Sequence, residues 1–141
     1  MPSNIQNEYN ALAHMLEMKL VLADFAPGQS GNIKKIINFL QSDDDGEPLS
    51  KDGGDFVIPA SYNRPKARIF MLHGILSSAK GMVGSDIVNY VLDNPDIEFH
   101  FLNGTNKKKM VELLSEEGIK ELGVTKDDVG FTWDQSAVDL L

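Results

Sequence analysis

The chain has no cysteine, which excludes disulfides, a thiolate nucleophile and any cysteine-held zinc or iron–sulfur centre. Cations are scarce: 13 Lys and Arg stand against 21 Asp and Glu, giving a formal net charge of −8. Nucleic-acid binding draws most of its affinity from cations that neutralise phosphates, so this balance argues against a nucleic-acid partner and suits a protein with a basic surface. Long apolar runs are missing as well, and none approaches the ~20 residues of a membrane helix. The opening MPSNIQNEYN has no basic segment leading into an apolar core, so a cytoplasmic protein without membrane attachment is expected. Histidine is limited to His14, His73 and His100, with no pair at the helical spacing of a metal site. Neither a metal nor a cofactor is expected.

What remains is enough for one globular domain over residues 1–141. Hydrophobic residues make up 42% and charged residues 24%, far from the composition that leaves a chain disordered, and at this length roughly two thirds of the unfolded surface can be buried. Ile5, Tyr9, Leu12, Leu16, Leu20 and Ala23 recur at helical spacing, with Ser3 and Gln6 as a capping box and Pro27 as the stop. Ser30 caps a second helix whose stripe is Ile33, Ile36, Ile37 and Leu40, so the two helices form a hairpin. Residues 41–55, QSDDDGEPLSKDGGD, read as a flexible acidic loop, and Asp43, Asp44 and Asp45 are candidates to meet a basic protein. Their spacing does not match a calcium loop, because Gly46 follows the acids too soon.

Beyond that loop the pattern becomes extended. Phe56-Val57-Ile58 and Ile69-Phe70-Met71-Leu72 predict strands, the second apolar on both faces as if covered by helices on each side. Ile87, Val88, Val91 and Leu92 form a helix that stops before Pro95, and residues 97–102 return to a strand. Strand, helix, strand implies a right-handed crossover and a parallel pair. Thr105 is placed to cap a helix carrying Met110, Leu113 and Leu114, GFTW suggests an edge strand, and Ala137 to Leu141 a last helical turn. The expected architecture is α/β or α+β: a helical hairpin on a small sheet of three or four strands, partly parallel, with helices on both faces.

Candidate chemistry concentrates in the loop after the second strand, HGILSSAKG. It resembles the phosphate loop of nucleotide-binding proteins, which implies Gly74 and Lys80 as anion ligands, although Ala79 replaces the usual glycine and Gly81 the metal-binding hydroxyl. It also resembles the oxyanion-loop strand of α/β-hydrolases, which implies His73, Ser77 and Ser78 near a reacting carbonyl; no nucleophile elbow follows, and Pro27-Gly28-Gln29-Ser30-Gly31 lies on the wrong side in chain order. The plainer reading is a strand-to-helix turn capped by Ser77, Ser78 or Ser85. If the two strands are parallel neighbours, His73, Lys80, His100 and Asn103 line one crevice at their far ends, with the two histidines as an acid/base pair. Residues 119–133, IKELGVTKDDVGFTW, resemble the second half of a helix-turn-helix, though Asp127, Asp128 and Asp134 would face the phosphates. Phe131 and Trp133 are alternatively aromatic anchors for a protein.

No catalytic motif is complete. The expectation is therefore a small acidic protein-binding factor, an inhibitor, immunity-like protein or adaptor, rather than an enzyme. The alternative is an anion-binding or hydrolase-like protein built on residues 73–81.

Overall fold

The computed structural model describes residues 4–25, 27–42, 46–51, 53–61, 64–74 and 77–134. The Asp43 to Asp45 cluster, Ser3 and the turn expected at 137–141 lie outside them. Helix α1 (Asn4–Leu22) buries Ala13 and Leu16 along the predicted stripe. Helix α2 (Pro27–Gln41) begins a turn before Ser30. Proline is at home in the first position of a helix, where its missing N–H has no intrahelical partner in any case and its fixed φ suits the helix. The two helices pack as a hairpin, and Ile33, Ile36, Ile37 and Leu40 join Ala13 and Leu16 in one core.

Strands β1 (Asp55–Ile58), β2 (Ala67–Leu72) and β3 (Ile97–Leu102) form a sheet in the order β1-β3-β2. β2 is parallel to β3 and β1 antiparallel to it, so Phe70 and Val57 both stand beside His100. The crossover from β2 to β3 contains α3 (Ala79–Met82) and α4 (Ser85–Asp93). The class is α+β, with the N-terminal hairpin on a small, partly parallel sheet. No described helix is long and apolar enough to cross a membrane.

The register sorts the strands into two faces of different character. Phe56, Ile58, Ile69, Met71, Phe99 and Phe101 share the core face. There Phe39 of α2 stacks on Phe56 with centroids 3.9 Å apart, and Tyr90 of α4 meets Phe99 edge-on at 5.8 Å. Among the described residues, the hairpin helices and α4 pack on this face. The reverse face carries Arg68, Glu98, His100 and Asp55 among its apolar residues, and charged side chains of that kind hold a face at the water.

The helix expected from Thr105 is instead a strand, β4 (Asn106–Lys109), followed by the single turn α5 (Met110–Leu113). Asn-Lys-Lys-Lys has no apolar alternation, so nothing local marks it as extended; its partner β5 (Val129–Thr132) makes it so. Between them lies α6 (Glu116–Leu122), capped by the Ser115 hydroxyl and ended by Gly123 in the left-handed region. The second helix of a helix-turn-helix is not formed. The Asp128 carboxylate accepts from the Thr125 N–H at 2.8 Å and from its hydroxyl at 3.2 Å, and this tight turn delivers the chain into β5.

Candidate functional site

β2 and β3 end side by side at Leu72 and Leu102, where parallel strands usually open a ligand crevice. Here the crevice is filled by the chain itself. His73, next after β2, is buried, and its Nε2 accepts the Gly104 N–H at 2.8 Å. That leaves the proton on Nδ1, which faces the Gly74 carbonyl at 2.5 Å. The Trp133 indole N–H donates to the His73 carbonyl at 3.2 Å, with its ring 5.1 Å from the imidazole. Phe131 is wholly buried 6.4 Å from the same ring, and its N–H donates to the Ser77 carbonyl at 2.8 Å. Phe131 is buried and Trp133 partly so, and both pack at this end of the sheet.

Asn103, next after β3, is likewise buried and shared between two segments. Its Oδ1 accepts the Ala79 N–H at 2.8 Å, and its Nδ2 donates to the Glu47 carbonyl at 3.0 Å. Ser78 caps α3 by accepting the Gly81 N–H at 2.9 Å. Two N–H groups at the start of α3, those of Ala79 and Gly81, thus already have protein acceptors. Lys80 points inward: its ammonium donates to the Ser42 carbonyl at 2.8 Å and lies 5.8 and 5.7 Å from the Tyr9 and Phe39 ring centroids. Gly74 is exposed, and Ser77 lines a separate hollow of about 260 Å³ with Tyr9 and Met110.

Burial pushes the His73 imidazole below its ordinary 6.5, partly opposed by the bond to Gly74. The folded protein therefore holds it neutral, and the unfolded chain binds more protons just below pH 6.5. Stability from this group is fully present above that pH and lost as pH falls toward the lowered folded value. Urea midpoints measured at neutral pH and near pH 5 should show this loss, and a His73→Gln variant should show less of it.

His100 does not join His73. It stands opposite Phe70, three residues short of His73, and its ring lies on the reverse face of the sheet. There Nε2 meets Glu98 at 2.5 Å and Nδ1 meets Asp55 at 3.2 Å, while Arg68 Nε reaches Glu98 at 3.3 Å. Phe70 stacks on the imidazole at 4.8 Å and is itself 58% exposed; Leu72 beside it is 49% exposed. A hollow of about 430 Å³ adjoins them, walled by Leu49, Ser50, Lys51, Asp55, Phe70 and Leu102. No group of three or more metal-ligating side chains is poised for an ion among the described residues. Phe70, Leu72, Asp55, Glu98 and Arg68 were not picked out by sequence reasoning. The signal was there: Arg68, Glu98 and His100 share the parity of Phe70, which marks that face as solvated. No family model, curated protein or solved structure matches this chain.

Proposed function

We propose that the chain is a protein-binding factor, with an inhibitor or adaptor role, that receives its partner on the reverse face of the three-stranded sheet. The observation that carries this reading is Phe70 with Leu72, half exposed on an outer strand beside a 430 Å³ hollow. Exposed apolar surface rimmed by polar groups is characteristic of interaction sites, and buried aromatics dominate interface energetics. The net charge of −8 favours a partner that sets basic side chains around an apolar one. Anion binding at residues 73–81 has less support, because Asn103 and Ser78 already take the first N–H groups of α3.

The test compares the chain with its Phe70→Asp variant. A protein captured by the wild type is identified and purified, and its affinity for both is measured by calorimetry. The expected partner is basic, binds more weakly as salt rises, and loses at least about tenfold on Phe70→Asp. The same partner should bind Trp133→Phe unchanged. Equal affinity for Phe70→Asp, or loss confined to Trp133→Phe, overturns the reading.

A further inference from the structure

Strand β2 lies on the outside of its sheet. It pairs with β3 alone, and among the described residues no other backbone hydrogen bond reaches positions 67–72. None of its residues is buried, whereas β3 beside it buries Phe99, Phe101 and Leu102. Its outer N–H and C=O groups therefore form an open edge, a template for one more strand. The other outer strands are protected. β1 is four residues long, opens on Asp55 and runs into Pro59, and β4 carries Lys107, Lys108 and Lys109. In β5 the Phe131 N–H is taken by the Ser77 carbonyl. Shortness, proline, lysine and a covering loop are the usual means of keeping an edge from pairing. β2 has none of them: it reads Ala-Arg-Ile-Phe-Met-Leu, and Arg68, its one charge, is drawn to Glu98 of β3 at 3.3 Å.

We infer that the partner adds an extended segment to this edge as a fourth strand; the inference rests on the reading of the reverse face as the docking surface. A row of alternating N–H and C=O groups is matched along its length by another extended backbone. Such a strand lies about 4.8 Å from β2. Its side chains alternate, so every second one falls beside Arg68, Phe70 and Leu72, and the rest beside Ile69 and Met71 on the core side. The occupant is thus a proline-free segment as long as β2, with an apolar residue beside Phe70. Lys or Arg flank that residue, because the chain they approach carries a net charge of −8. Main-chain bonds along the edge supply affinity, and the exposed Phe70 with its adjoining hollow selects the side chain.

A phage-displayed library of random peptides, selected on the full chain, tests this. The selected peptides should lack proline at their centre, alternate apolar residues with others, and be net basic. One of them is then made with single N-methyl groups, each of which removes a main-chain donor. Affinity should fall about tenfold at every second central residue and stay nearly unchanged between them. Amide exchange of β2 should slow when that peptide binds, and exchange of β4 should not. A library that yields no binder, affinity indifferent to every N-methyl group, or protection of another strand in place of β2 overturns the proposal. So does protection of β2 in the chain alone that fades on dilution, which would assign the edge to a second copy. Phe70→Asp judges the docking face separately: a peptide that loses affinity for this variant but tolerates every N-methyl group keeps the face and removes the added strand.

Discussion

Gly104→Ala is expected to cost at least about 3 kcal/mol, roughly 10 °C in Tm for a domain of this size. A Cβ at position 104 would lie 2.4 Å from the Thr132 carbonyl oxygen and 2.8 Å from its carbon. Both are main-chain atoms of β5, so no side chain can swing away to make room; the strand itself must move. The same residue donates its N–H to His73 and accepts the Leu49 N–H at 3.1 Å, so displacement at one point loosens the 46–54 segment as well as the β4–β5 sheet. Urea denaturation followed by Trp133 fluorescence measures both: a lower midpoint, and a red-shifted native spectrum as the indole leaves the His73 carbonyl. An unchanged midpoint would mean that the second sheet does not seat on the turn after β3.

Asn103→Ala is expected to destabilise by about 2–4 kcal/mol, because it removes at once the partner of a buried backbone N–H and that of a part-buried carbonyl. The Ala79 N–H would lose its acceptor in the interior, and the Glu47 carbonyl would lose its donor. Asn103→Asp keeps an oxygen for Ala79 but turns a second oxygen toward the Glu47 carbonyl, so it should restore little. Asn94 serves as a control: its amide donates to the Tyr90 carbonyl at 2.8 Å at the surface, where removal costs within about 0.5 kcal/mol. Calorimetric Tm values for the three variants check the order, with Asn103→Ala the lowest or level with Asn103→Asp.

These residues show where the sequence can be read and where it cannot. The hairpin of α1 and α2 follows from apolar residues at a period of 3.6, and the parallel pair of β2 and β3 from the order strand, helix, strand. Asn103 and Lys80 stand out in the sequence as polar residues near a strand-to-helix turn. Their roles depend on Glu47, Ser42 and Ala79, which come from other parts of the chain. Local pattern cannot distinguish a lysine turned to a ligand from one that satisfies the end of a helix 38 residues earlier. Trp133 is read as an anchor for the same reason, since only the fold shows that it covers His73. β4 was illegible because three consecutive lysines favour no strand until β5 pairs with them. The exposure of Phe70 is hidden in an apolar run that reads as buried on both faces, and only the charges of matching parity on its neighbour β3 correct that.

The end of the sheet is sealed from within, while Phe70 and Leu72 on the reverse face stand half exposed. Hydroxyl-radical footprinting of the free chain, read by mass spectrometry residue by residue and normalised for intrinsic reactivity, tests it directly. Phe70 and Leu72 should be modified at rates near those of an unfolded peptide, with Phe131 and His73 strongly protected and Trp133 in between. Rapid modification of His73 and Phe131 together with protection of Phe70 would contradict the account.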